Sequence, residues 1–266
     1  MNAAEFVLED VAKRFGSERR GHVAVKGLTD RFSNTQSVGI IGESGSGKST
    51  LGRMLCALET ATSGSIRFNG EEIADIRASK PKLIQFRRDV QLIGQDTTSS
   101  FDPRHSLRES IMYPAMSLTG LSRKEAYEKT DQVVELLGLS PKMADRPSEG
   151  VSGGQRQRFA IARALIVEPR ILVCDEVVSA LDVSVQGGIL NFLKTYHRDR
   201  EAGIIFISHG LPATSFISSE LRVMFQGEFV EAGSTRRVVT EPEADYTKKL
   251  LAGYRAVPET LEAEVA

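Results

Sequence analysis

Short apolar runs separated by polar stretches set the reading of this chain. Phe6-Val-Leu-Glu-Asp-Val11 alternates loosely and predicts a strand, with a turn-like Gly16–Gly21 after Phe15. Residues 23–33 predict a second short strand region, and Ser37-Val-Gly-Ile-Ile41 a buried strand. Gly42 to Ser49 is rich in glycine and small polar residues, and Thr50–Leu58 after it reads as a helix. Ile66-Arg-Phe-Asn-Gly-Glu71 resembles a strand running into a turn. Residues 104–137 predict mainly helix, with apolar Val133, Val134, Leu136 and Leu137 ahead of a stop at Gly138. Another helix is predicted over Gln155–Val167, ended by Glu168-Pro169. Ile171-Leu-Val-Cys174 and Gly203–Ile207 have the length of strands covered on both faces. Between them, Ser184–Arg200 has helical spacing at Ile189, Phe192, Leu193 and Tyr196. Strand, helix and strand in that order predict an α/β fold with a parallel sheet and crossover helices.

Composition narrows the function classes. The 266 residues carry 34 Lys+Arg against 35 Asp+Glu, so 34 − 35 = −1, and no global charge draws the chain to nucleic acid. The length fits one large domain, or one with a small satellite. No run of 18 or more apolar residues occurs, which excludes a membrane-spanning helix. Residues 1–20 lack an apolar leader segment, so no secretory signal is expected. Cys56 and Cys174 are few and far apart, which argues against a disulfide scaffold and for a reducing compartment. The histidines at 22, 105, 197 and 209 never fall at i,i+4, so their spacing announces no metal site. From Pro258 onward the chain is acidic and poor in apolar residues, and a mobile tail is expected over 258–266. A cytosolic protein is the expectation.

Gly42-Glu43-Ser44-Gly45-Ser46-Gly47-Lys48-Ser49 matches the phosphate-loop pattern, between an apolar strand and a helix, the context this motif requires. The glycines let successive backbone N–H groups turn toward phosphate oxygens. Lys48 supplies a point charge for the β and γ oxygens, and Ser49 a hydroxyl for Mg²⁺. The helix that follows, from Thr50, presents its positive end to the nucleotide. A bound nucleoside triphosphate is the expectation.

Val151-Ser152-Gly153-Gly154-Gln155 stands 20 residues before the acidic pair Asp175-Glu176 (175 − 155 = 20). With both halves in place, nearly the whole chain resembles an ATP-binding-cassette (ABC) ATPase, with Val151 where that family's signature usually has Leu. The resemblance implies a phosphate-loop NTPase fold with a RecA-like parallel core. It also implies an N-terminal antiparallel β subdomain and a helical subdomain at about 97–160 that carries the signature. Residues 1–235 would form the nucleotide-binding domain and 236–257 a C-terminal extension. The signature of one cassette would close over the nucleotide of another, in a head-to-tail dimer with two shared ATP sites. Asp175 would reach Mg²⁺ with Ser49, and Glu176 would polarise the attacking water. Gln95, in Leu92-Ile-Gly-Gln-Asp96, matches the Q-loop glutamine that serves Mg²⁺ and the water. His209 matches the switch histidine at the γ-phosphate, and Asp182 the D-loop that crosses the dimer interface. Phe15 occupies the place of the aromatic that stacks on adenine; a plain core phenylalanine is its alternative.

Two departures stand out. Val177-Val178 replaces the usual Pro-Thr between Glu176 and Ser179, and Gly210 follows the switch histidine where Asp is usual. The valine pair supplies no catalytic atom, so hydrolysis is expected to survive it, whereas Gly210 removes a carboxylate that would steady the D-loop region, which bears on the rate more than on the activity. The Arg87–Arg104 stretch resembles the importers of peptides, nickel and opines. Gly42–Gly47 and Ser179–Gln186 carry the same phrasing. Glu241–Leu251 partly matches that branch's C-terminal Pro-x-His-Pro-Tyr-Thr motif, with Ala244-Asp245 in place of His-Pro; an ordinary amphipathic helix is the alternative. The expected role is the ATPase subunit of a membrane importer of peptides or similar solutes. A nickel, metal-chelate or opine importer stays open, as does a cytosolic cassette ATPase that moves no solute. The implied partners are two permease subunits, a second cassette chain (a different chain or a copy of itself) and, indirectly, an extracytoplasmic solute-binding protein. The implied location is the cytoplasmic face of the inner membrane, held peripherally. The permease is expected to dock at Thr97–Arg108, with Phe101 on the docking surface.

Overall fold

The computed structural model describes residues 4–17, 21–97, 99–179 and 181–255. The tail expected to be mobile lies outside the described residues, as does part of the turn between Gly16 and Gly21. β1 (Glu5–Phe15) and β2 (His22–Ser33) pair antiparallel, with register shifts between Leu8 and Arg14. β3 (Ser37–Ile41) then leaves for a second sheet, buried at all five positions. α1 (Lys48–Leu55) starts two residues earlier than the pattern predicts and stops short of Leu58, where Ala57 turns left-handed at φ 57°. The chain returns for β4 (Ser63–Phe68) and β5 (Glu71–Glu72), completing an antiparallel sheet of order β2-β1-β4-β5. This is the antiparallel subdomain that the resemblance implies.

α2 (Ile73–Ala78) and α3 (Lys80–Asp89) lead into β6 (Val90–Ile93). Phe86 of α3 meets Phe68 edge-on at 5.2 Å, and Phe68 lies 4.9 Å from Phe6, so α3 is clamped to the antiparallel sheet. The predicted helical stretch 104–137 is two helices, α4 (Leu107–Thr119) and α5 (Arg123–Leu136). Gly120, at φ 76°, ends α4, and Ser122 restarts the chain as a capping box with Glu125. α6 (Gly153–Leu165) completes this helical layer. Arg108 of α4 is buried and ion-paired with Asp131 of α5 and with Asp145, which ties the layer together.

β7 (Ile171–Asp175), α7 (Val183–Arg200) and β8 (Gly203–Ile207) follow as the apolar runs predict. α8 (Leu211–Ile217), β9 (Glu220–Phe225), β10 (Glu228–Ser234), α9 (Thr235–Thr240) and α10 (Asp245–Arg255) close the chain. The second sheet has the order β10-β9-β3-β8-β7-β6. Its five strands from β9 to β6 are parallel, and β10 is antiparallel at the edge. Buried Arg222 of β9 bonds Asp30 of β2 at 2.6 Å and so joins the two sheets. No helix among the described residues is long and apolar enough to cross a membrane.

Candidate nucleotide-binding site

The carboxyl ends of four neighbouring parallel strands deliver the candidate residues to one place. β3 runs into the phosphate loop, β6 into Gln95, β7 into Asp175 and Glu176, and β8 into His209. Ligands gather at this edge of open parallel sheets because loops there diverge and helix N-termini point inward. A cavity of about 660 Å³ lies over it. Phe15, Gln95, Glu176 and His209 line this cavity, together with Gly42 to Thr50 except Ser46. Ser46 is buried behind the loop, its hydroxyl 3.3 Å from the Lys48 ammonium. Phe15 is 40% exposed at the end of β1, with the Lys13 ammonium 4.8 Å from its ring. It is therefore a cavity wall and not a core side chain.

Local backbone geometry explains the loop. Gly47 has φ 105°, and a Cβ there would sit 2.1 Å from the Ala24 carbonyl oxygen, so no side chain fits. Gly45, at φ 80°, faces open space. Lys48 reaches back across the loop and donates to the Gly42 and Glu43 carbonyls, each at 2.7 Å. Burial holds its ammonium below the ordinary lysine range, partly offset by Glu176, Asp175 and Glu43.

Ser49 donates its hydroxyl to Asp175 Oδ1 at 3.0 Å. Burial pushes the Asp175 carboxyl above its usual range and Glu176 adds to this, while the Ser49 bond and Lys48 oppose it. These two hard oxygen donors beside a phosphate loop fit Mg²⁺, which takes few protein ligands and completes its shell with water and phosphate. Among the described residues no group of three or more His, Cys, Asp or Glu converges, and such an ion needs none.

Glu176 follows Asp175 with a left-handed backbone, φ 54°, and its N–H bonds the Ile207 carbonyl at 2.9 Å. A non-glycine residue in that conformation is uncommon, and the strand pairing on either side holds it there. Its Oε1 accepts from the His209 backbone N–H at 2.9 Å and from His209 Nδ1 at 2.8 Å. Oε2 is buried without a partner. A carboxylate oxygen held dry and unbonded beside a phosphate loop is suited to take a proton from water.

The remaining candidates lie elsewhere. Ser152 caps α6: its hydroxyl accepts the Gln155 N–H at 3.3 Å, and Gln155 Oε1 accepts the Ser152 N–H at 2.9 Å. Gly153 and Gly154 form the first turn of that helix. Asp182 is the N-cap of α7. Leu181 of this D-loop stretch packs against Gly154, so signature and D-loop share a face apart from the cavity. Phe101 is only 4% exposed and stacks under the Arg163 guanidinium at 4.4 Å, which corrects its expected place on a docking surface. His22, Leu250 and Tyr254 also line the cavity, and the Glu43 N–H donates to the Tyr246 hydroxyl at 3.1 Å. None of these four was expected in the site, although Tyr246 stands in the partial C-terminal motif.

The strand order and the phosphate loop define an ATP-binding cassette of the phosphate-loop class. Residues 25–179 match the family described as ABC transporter, and the chain belongs to that family. The glutathione import ATP-binding protein GsiA of Escherichia coli K12 is 44% identical over 223 residues, covering 84% of this chain and 35% of GsiA. The chain thus spans about a third of the length of the glutathione-import relatives it matches. The di/tripeptide transport ATP-binding protein DppF of Pseudomonas aeruginosa is 37% identical over 241 residues, covering 90% of this chain and 74% of DppF. Among solved structures, the dimeric cassette MJ0796 with ADP and Pi aligns at TM-score 0.80 and 24% identity, over 87% of this chain and 99% of that one. Its likeness supports the cassette fold.

Proposed function

We propose that this chain is the ATP-binding and hydrolysing subunit of a membrane importer of peptides or similar small solutes. The observation that carries the reading is the meeting of Lys48, Ser49, Gln95 and the Glu176–His209 pair in one cavity, with Asp175 bonded to Ser49. The names of the glutathione and di/tripeptide import relatives support the peptide class of cargo. Residues 1–235 act as the ATPase domain, with its helical subdomain at about 97–160 and a C-terminal extension over 236–257.

In this reading the loop N–H groups and Lys48 bind the phosphates, and Phe15 stacks on adenine. Ser49, Asp175 and Gln95 would hold Mg²⁺, which would neutralise charge on the phosphate oxygens. Glu176 orients water and takes its proton at the free Oε2. His209, fixed through Nδ1 by Oε1 of the same carboxylate, keeps its other ring nitrogen for the γ-phosphate. Positioning and electrostatics supply most of the rate. Ser152, Gly153, Gly154, Gln155 and Asp182 face a second cassette, a different chain or a copy, and complete its ATP site. The partners are two permeases and, through them, a solute-binding protein. The chain works peripherally on the cytoplasmic face of the inner membrane.

Deleting the chain from its host and measuring uptake of labelled di- and tripeptides tests the reading. Wild type should restore uptake and Glu176→Gln should not, while purified Glu176→Gln keeps ATP binding and loses about 10²- to 10⁴-fold in turnover. Uptake restored by Glu176→Gln would remove that carboxylate from the reaction. Peptide uptake unaffected by the deletion would remove the cargo assignment.

A further inference from the structure

α10 lies beyond the residues that match the family, yet it forms a wall of the nucleotide cavity. Tyr246, Leu250 and Tyr254 fall four residues apart and so share one helical face. The Tyr246 ring stacks on Phe225 with centroids 4.1 Å apart, and its hydroxyl accepts the Glu43 N–H. The carbonyl of the same Glu43 accepts from Lys48. One loop residue is thereby held from both sides, by the C-terminal helix and by the phosphate-binding lysine. At the other end of α10, Tyr254 lines the same cavity as His209. The helix is firmly seated. Thr247 and Leu251 are buried, and buried Glu231 accepts the Glu243 and Ala244 N–H groups, each at 3.0 Å.

The geometry points to α10 as a strap that holds the phosphate loop in register, with Tyr246 as its positioning residue. The inference rests on the ATP-site reading above. A phosphate loop binds by converging several N–H groups at once, so a peptide free to rotate at Glu43 would disorganise both the nest and the seat of Lys48. Tyr246 removes that freedom at the binding end.

The test compares ADP binding, steady-state ATP hydrolysis and melting temperature for the full wild-type chain, Tyr246→Phe and Lys48→Ala. Tyr246→Phe keeps the ring stack and the melting temperature; it should weaken ADP binding and raise KM by about fivefold, the worth of one hydrogen bond, with little change in kcat. Binding and KM both unchanged in Tyr246→Phe would overturn the strap while leaving the ATP site standing. A Tyr246→Phe chain that loses binding only in step with its melting temperature would overturn it too, by making Tyr246 merely structural. A wild type that binds no ADP, or a Lys48→Ala chain that binds as well as wild type, would bring down the ATP-site reading and the strap together.

Discussion

Asp175 and Lys48 keep their charges against their surroundings. Burial raises the one pKa and lowers the other, so each folded-state shift disfavours the ionised form. A carboxyl whose folded pKa lies above its unfolded value contributes stability when protonated, and that contribution is lost as pH rises through the folded pKa. At neutral pH the ionised Asp175 therefore destabilises the fold that carries it. Asp175→Asn keeps an oxygen to accept from Ser49 and removes the charge. Thermal unfolding without nucleotide should show this variant melting above wild type near neutral pH. The gap should narrow as pH falls through the raised folded-state pKa and be closed below the ordinary carboxylate value, about 4. Hydrolysis should be lost throughout. A variant that melts below wild type at neutral pH would mean that the Ser49 bond and the nearby charges of Lys48 and Arg53 outweigh the burial of Asp175. Val177 and Val178, beside this acid, are 1% and 3% exposed, which accounts for apolar residues at that pair.

The loop from Gln95 to α4 shows how an element can be polar in sequence and still be anchored in the core. Asp96 accepts from the Ser99 N–H and hydroxyl, and Asp102 pairs with Arg104, so the loop is tied to itself. Among its described residues Phe101 is the deep anchor, buried against the helical layer under Arg163. Phe101→Ala should cost about 3 kcal/mol in denaturant unfolding and loosen Gln95 with it. A loss below about 0.5 kcal/mol, the range of ordinary surface positions, would show that the anchor is dispensable. The polarity of Asp96–Arg108 concealed this, since neither an isolated aromatic nor Arg163, 62 residues away (163 − 101 = 62), signals its partner. Elements whose burial is local were legible: β3, β7 and β8 are short apolar runs, and the phosphate loop, acidic pair and His209 sit at their ends. Elements whose burial depends on distant partners were not. β9 carries buried Arg222, paired with Asp30 from distant β2 as well as with Glu220, and β6 is interrupted by Gln91. The break at Gly120 was readable in principle from Ser122 and Glu125, but the apolar spacing on either side blends the two helices into one. Tyr246 could be singled out in sequence, yet its hold on Glu43 needs α10 folded back over the loop.

Across the whole molecule, three faces divide the work. ATP is expected at the strand ends, a second cassette is expected at Ser152–Gln155 and Asp182, and a groove of about 610 Å³ opens elsewhere. Ser100 and Asp102 of the Gln95 loop line one edge of this groove, and Tyr113 and Pro114 of α4 line another. A loop that touches the nucleotide cavity at one end and the groove at the other can carry strain between them, because Phe101 fixes its middle. Tyr113 is 73% exposed there, a large aromatic left uncovered, the kind of side chain that anchors a protein partner. The permease is thus expected to seat its contact on Tyr113 and not on Phe101. Co-expressed with its permeases, wild type should fractionate with membranes. Tyr113→Asp should lose at least about 2 kcal/mol of that association, roughly thirtyfold in affinity, and transport with it. ATP binding by the free chain should be unchanged, since the substitution lies on α4, outside the nucleotide cavity. Full membrane association and transport by Tyr113→Asp would show that the groove is not the docking site and move the search to the exposed faces of α5 and α7.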